Sequence, residues 1–97
     1  MTISLYKPTE EPMLFTPVEF SDCINIKGML PVERVAGLLG CAPNMVDVLA
    51  TGNDYAMYSV FDCEGDINPI AMEVFTALTG EPCDDDPLRG PILCLCL

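Results

Sequence analysis

The stretch from Glu33 to Gly52, ERVAGLLGCAPNMVDVLATG, constrains the fold more than any other part of the chain. Apolar residues recur at helical spacing before Gly40 and again after Pro43, and the glycine between them allows a turn that a side chain would strain. The spacing therefore predicts two short helices that are joined by a tight turn. Their inward positions are Val32, Val35, Ala36, Leu38 and Leu39 in the first helix and Met45, Val46, Leu49 and Ala50 in the second.

Two further helices are predicted on either side of this pair. Thr16 is the expected N-cap of an early helix that ends by Gly28, because Pro17 and Glu19 complete a helix-start signature. A last helix is expected over residues 69–78, where the sequence TGEP stops it. Its predicted inward positions are Ile70, Val74, Phe75 and Leu78.

Three segments predict a small β-sheet. Residues 2–6 alternate apolar and polar side chains, and so do residues 55–61, YAMYSVF. The C-terminal run ILCLCL, residues 92–97, is expected to pair with the first strand. The chain is thus predicted to be a single domain over residues 1–97, mainly α-helical with four to five short helices and a small sheet from the termini and residues 55–61.

The charge of the chain restricts its partners. Fifteen Asp and Glu residues oppose four Lys and Arg residues, which gives a net charge of −11 in 97 residues. Such a field repels polyphosphate and attracts basic surfaces, so direct binding of nucleic acid is not expected. At 51% hydrophobic residues the chain still has enough apolar side chains to fold. A basic protein surface is therefore the expected partner.

Residue types that support enzymes and metal sites are scarce. The sequence contains no His, the commonest general base and metal ligand, so we expect neither an enzyme nor a cofactor or metal. The N-terminus carries no secretory signal pattern, and the six cysteines are expected to be reduced in a cytoplasmic protein. No apolar run is long enough for a membrane span, so we expect no membrane contact.

The apolar spacing of the opening stretch resembles the helix-turn-helix of Cro and phage-repressor type transcription regulators. The resemblance rests on Ala36, Gly40, Val46 and Leu49 and extends over about residues 16–80. In that family the small residue lets two helices cross closely, the glycine makes the turn, and the later apolar residues seat the second helix. The resemblance implies a helix-turn-helix core over residues 16–80. Beyond it, the residue pattern predicts an acidic turn and an apolar strand over residues 84–97.

The exposed start of the implied reading helix lacks the chemistry of DNA recognition. Base reading requires Arg, Lys, Asn or Gln there, and phosphate anchoring requires cations. The exposed positions are Ala42, Pro43, Asn44, Asp47 and Val48, of which Asn44 alone could read a base. Asp47 would face the phosphates. The scaffold thus predicts a DNA reader, whereas its surface charge has the wrong sign.

The acidic residues concentrate around residues 54–66 and after the last predicted helix. Small acidic proteins of this kind resemble phage-encoded inhibitors of host defence, including anti-CRISPR proteins and DNA mimics, by size and charge. The resemblance implies that a charge array imitates nucleic-acid phosphates. The predicted partner-binding residues are Asp47, Asp54, Asp62, Glu64, Asp66, Asp84, Asp85 and Asp86.

Three functions are therefore open at this point. The first is a phage-encoded, non-enzymatic inhibitor that acts in the host cytoplasm and blocks the nucleic-acid-binding surface of a defence complex, with a CRISPR effector as the expected target. The second is a helix-turn-helix transcription regulator or antirepressor. The third is an assembly protein, in which the apolar ends Ile3 to Tyr6 and Ile92 to Leu97 would support a homodimer or larger oligomer.

Overall fold

The computed structural model describes residues 2–15, 31–81 and 87–96. This part of the chain forms a five-stranded antiparallel sheet with the strand order β2-β1-β5-β4-β3. The strands are β1 (Thr2–Tyr6), β2 (Met13–Phe15), β3 (Val46–Thr51), β4 (Tyr55–Val60) and β5 (Ile92–Cys96), and the helices are α1 (Val32–Leu39) and α2 (Pro69–Thr79).

The C-terminal strand β5 is the centre of the sheet. It pairs with β1 on one side and with β4 on the other, so the predicted pairing of the two terminal segments is confirmed. Leu93 and Leu95 belong to one apolar cluster, whereas Ile92 and Cys94 belong to another. Because successive side chains of a strand point to opposite faces, the two clusters lie on the two faces of the sheet. An apolar run without polar alternation suits such a doubly covered strand.

The two helices cover opposite faces of this sheet. Val35 and Leu39 of α1 pack in the cluster of Leu93, and Ala71 of α2 packs in the cluster of Cys94. Both helices end at glycines with positive φ, 77° at Gly40 and 75° at Gly80. The predicted helices at these positions are confirmed. The predicted inward face of α2 is partly wrong, because Ala71 is fully buried whereas Ile70 is 39% exposed.

The prediction of a mainly α-helical fold is wrong. Within the described residues the chain has five strands but two α-helices, and the sheet includes segments that the sequence did not assign to strands. Those segments are Met13–Phe15, which pairs with β1, and Val46–Thr51, which pairs with β4. The early helix predicted from Thr16 to Gly28 lies outside the described residues.

The predicted helix-turn-helix is also wrong, because its second helix is a strand. Pro43–Met45 makes a single 3₁₀ turn, and the chain then continues as β3. Val46 lies opposite Val60 and Asp47 lies opposite Ser59 in the antiparallel pair with β4. The residues predicted to end the helix instead form a hairpin turn, in which the main-chain nitrogen of Gly52 donates to the carbonyl oxygen of Tyr55 at 2.9 Å. Residues 43–51 therefore do not form the predicted reading helix.

The apolar terminal segments that suggested oligomer formation bury most of their described side chains in the interior of the protein. Ile3 and Ile92 have no exposed surface, and Leu5, Leu93 and Leu95 are also buried. These side chains form the interior on both sides of the central strand pair. A homodimer stays a prediction, and it would require surfaces other than these side chains.

Candidate functional site

Two of the predicted acidic residues meet at one end of the β3–β4 hairpin. Asp47 lies near the start of β3 opposite Ser59, and Asp62 follows β4 in a turn with a positive φ of 52°. Both line an open cleft of about 380 Å³. The cleft is further lined by Leu49, Ser59, Val60, Cys63, Pro87, Leu88, Arg89 and Ile92. The hairpin therefore brings together carboxylates that are 15 positions apart in the sequence.

The loop after β4 adds Glu64 and Asp66 to the same end of the sheet. Its main chain is fixed by the segment that leads into β5. The nitrogen of Gly90 donates to the carbonyl oxygen of Asp66 at 2.9 Å, and the nitrogen of Asn68 donates to the carbonyl oxygen of Leu88 at 2.8 Å. Asp47, Asp62, Glu64 and Asp66 together are called the acidic end below.

Among the described residues, the cation that lines the cleft is Arg89, and its side chain is bound to a neutral group. The Nη1 atom of Arg89 donates to the carbonyl oxygen of Gly65 at 3.2 Å. Arg89 thus holds the acidic loop in place through its main chain. All four carboxylates of the acidic end are exposed to solvent, as are the other described Asp and Glu residues: Glu10, Glu11, Glu33, Asp54, Glu73 and Glu81.

The remaining predicted residues do not join this group. Asp54 lies in the turn at the far end of the hairpin, four strand residues or about 13 Å beyond Asp47 along β3. Asp84, Asp85 and Asp86 lie outside the described residues. The structure thus unites Asp47 and Asp62 in one cleft, places Glu64 and Asp66 beside it, and separates Asp54 from it.

Asn68 organises this end of the sheet, and the sequence reasoning missed its role. Its side chain is 1% exposed and makes three hydrogen bonds. The amide nitrogen donates to the carbonyl oxygens of Tyr6 at 2.9 Å and Gly90 at 2.8 Å, and the amide oxygen accepts from the nitrogen of Ala71 at 3.2 Å. Asn before Pro69 at a helix start is a capping signal that could have revealed the third contact. The other two join distant parts of the chain.

Gly90 makes close packing at the acidic end possible. Its φ is 70°, a conformation that favours glycine, and a Cβ atom added there would lie 2.5 Å from the Sγ atom of Cys63. The glycine therefore lets the Cys63 side chain pack directly against the main chain. This contact joins the loop after β4 to the segment before β5 next to the cleft.

A pair of cysteines lies toward the other end of β5. Cys94 and Cys96 project from the same face of the strand, and their sulfur atoms are 3.6 Å apart. Burial, together with the hydrogen bond to Cys96 and the charge of the Cys96 thiolate, raises the pKa of the Cys94 thiol to about 12. A buried thiol that keeps its proton is a poor nucleophile at neutral pH.

No protein-family model, curated protein or solved structure matches this chain. The resemblance to phage repressors is overturned by the sheet, and the resemblance of size and charge to phage-encoded inhibitors gains no support from these comparisons. Neither of the two helices in the described residues has the length and hydropathy of a membrane-spanning segment.

Proposed function

We propose that this protein is a non-enzymatic binding protein whose acidic end occupies a cationic, nucleic-acid-binding surface of another protein. The observation that carries the proposal is the placement of four exposed acidic residues at one end of the sheet, beside an arginine that is bound to a main-chain carbonyl. A partner's Lys and Arg side chains can therefore reach these carboxylates from solvent.

The spacing of the charges supports a polyanion-like surface. Asp47 and Asp62 line one cleft, and Glu64 and Asp66 follow Asp62 at alternate positions along the loop. Exposed charges influence one another within about 8 Å at physiological salt, so neighbouring carboxylates act on a cationic groove together. A groove that binds nucleic acid is adapted to closely spaced negative charges. The acidic end offers it a comparable array on a protein.

The main-chain contacts of the acidic loop also favour binding. The loop is held by the main-chain bonds of Asp66 and Asn68 and by the contact of Arg89 with Gly65. A partner would not have to order a flexible acidic segment, which saves conformational entropy on binding. This distinguishes the acidic end from a solvated acidic tail, whose charges must first be arranged.

A capture experiment with two eluates tests the proposal. The tagged full chain is incubated with nuclease-treated bacterial lysate, and bound proteins are released first by salt and then by denaturant. We expect salt to release proteins that bind nucleic acid, and added DNA or RNA to displace the protein from them. A partner that stays bound at high salt, or that binds the protein and nucleic acid at the same time, would contradict the proposal.

A further inference from the structure

The pair Cys94 and Cys96 lies apart from the acidic end. Cys96 is opposite Thr2 of β1 and Tyr55 of β4, at the end of the strands where the Asp54 turn also lies. The acidic end is at the other end of β5, where Ile92 is opposite Ser59. A function of the two cysteines would therefore be independent of the proposed function.

The strand geometry arranges the two thiols as a chelating pair. Residues two apart in a strand project from the same face, and the sulfur atoms of Cys94 and Cys96 approach to 3.6 Å. β5 is paired on both sides, so its main chain holds the two side chains in register. Two soft ligands are thus positioned together without any rearrangement of the fold.

The surroundings of the pair favour a soft ion. Cys94 is 2% exposed and lies opposite Met57, whose side chain is fully buried in the same apolar cluster. Side chains directly opposite one another in a sheet have Cβ atoms about 5 Å apart, so a thioether flanks the two thiols. Cys96 is half-buried and gives access from solvent. Thiolates and thioethers select Cu(I), whereas carboxylates and water suit harder ions.

The number of ligands available at the pair favours Cu(I) over zinc. A structural zinc site requires four ligands in a tetrahedron. Among the described residues, no group of three or more His, Cys, Asp and Glu side chains could hold a metal ion. Cu(I) accepts two thiolates as a complete ligand set. The chemistry of the pair therefore matches the monovalent ion better than the divalent one.

We propose that Cys94 and Cys96 form a two-thiolate binding site for Cu(I), with the thioether of Met57 beside it. Binding converts two thiols and one Cu⁺ into a dithiolate complex of charge −1 and releases two protons to solvent, with no change of oxidation state. The strongly negative chain attracts the cation to its surface. The site would bind the metal on the sheet face that α2 covers. The acidic end, which is proposed to contact the protein partner, lies elsewhere.

An anaerobic titration tests this proposal. The reduced full chain competes with a chromogenic chelator for Cu(I), and we expect it to remove one equivalent of the metal. Cys96→Ser should weaken binding by about 100-fold or more, because it removes a direct ligand. The half-buried position of Cys96 makes this substitution tolerable, and a circular dichroism spectrum checks the fold. Unchanged affinity of Cys96→Ser would overturn the proposal.

A matched variant tests whether Cys94 and Cys96 are the residues that bind the metal. Replacing the other four cysteines, Cys23, Cys41, Cys63 and Cys83, by Ser leaves Cys94 and Cys96 in place. We expect this variant to bind one Cu(I) with wild-type affinity, and loss of binding would overturn the proposal. X-ray absorption of the wild-type complex should show a shell of sulfur ligands, whereas a nitrogen or oxygen shell would contradict it. Zn²⁺ binding as tight as Cu(I) binding would contradict the choice of metal.

Discussion

The amide nitrogen of Asn68 donates a hydrogen bond of 2.8 Å to the carbonyl oxygen of Gly90, 22 residues later in the chain. The same nitrogen donates to the carbonyl oxygen of Tyr6 at the end of β1. One buried side chain thus joins the start of α2, the end of β1 and the segment before β5. The position of the acidic loop depends on this junction, because residues 61–67 lead directly into Asn68.

Replacing Asn68 by Ala should destabilise the protein strongly. The change removes the cap of α2 and leaves the carbonyl oxygens of Tyr6 and Gly90 without these donors. The expected loss in the free energy of unfolding is about 2–4 kcal/mol. Urea denaturation of Asn68→Ala and of the control Asn44→Ala, whose side chain is exposed, measures the effect. Equal stability of the two variants would show that the junction contributes little.

Replacing Gly90 by Ala should be more costly than the same change at Gly80. Both glycines have positive φ, which disfavours Ala by about 1–2 kcal/mol, but at Gly80 no atom of the described residues, its own chain neighbours and helix main chain aside, lies within 4 Å of the Cβ position. At Gly90 the new methyl group also meets the sulfur of Cys63, which adds about 1–3 kcal/mol. Thermal or urea unfolding of both variants should show this difference.

A double variant separates the two causes at Gly90. Adding Cys63→Ala to Gly90→Ala removes the sulfur atom that the methyl group meets. The double variant should therefore be more stable than the sum of the two single effects predicts, with a coupling energy of about 0.5–3 kcal/mol. Strict additivity would mean that the close approach of Cys63 to Gly90 has no energetic consequence.

Tyr58 should make the protein less stable in alkali. Burial raises the pKa of its hydroxyl above the ordinary value of 10.0. Above that value the unfolded chain loses the proton while the folded chain keeps it, so the free energy of unfolding falls as pH rises toward the folded pKa. Below pH 10 the Tyr58 hydroxyl is neutral in both states, and its contribution to the free energy of unfolding is fully present. Tyr58→Phe removes this ionisation, and its stability should decline less steeply.

The comparison is made by urea unfolding between about pH 8 and pH 11. Tyr55→Phe is the matched control, because Tyr55 is on the same strand but only half-buried. Cys94 is present in all three proteins, so its own titration affects them alike. If Tyr58→Phe and the wild type lost stability in parallel, the buried hydroxyl would not be the cause.

The sequence was informative where local signals agreed with the tertiary structure. β5 was predicted from its apolar run, and α2 was predicted because Pro69 and Gly80 mark its ends. For residues 46–51 the pattern predicts a helix, because Val46, Leu49 and Ala50 match helical spacing over one short turn. In the structure this segment forms a strand instead, because its main chain pairs with β4. The β-branched Val46 and Val48 and the turn residues after Thr51 were signals for a hairpin.

The candidate site was predictable only in its residue types. The acidic side chains were visible in the sequence, but their grouping depends on register and on loop contacts. Asp47 meets Asp62 because β3 is a strand, whereas a helix would have placed Asp47 elsewhere. The contacts of Asn68 and Gly90 join residues that are distant in sequence. Local propensity contains no information about such pairs.

The most direct test of the central claim compares two variants of equal charge. The first neutralises the acidic end through Asp47→Asn, Asp62→Asn, Glu64→Gln and Asp66→Asn. Asn tolerates the positive φ at position 62. The second neutralises four exposed acids elsewhere through Glu33→Gln, Asp54→Asn, Glu73→Gln and Glu81→Gln.

The affinity of both variants and of the wild type for the captured partner is measured over a range of salt concentrations. Loss of charges at the contact should slow association and flatten the salt dependence. We expect the acidic-end variant to bind at least tenfold more weakly and with the shallower salt dependence, while the second variant stays close to the wild type. Equal weakening of both variants would contradict the account, because net charge rather than the acidic end would then determine binding.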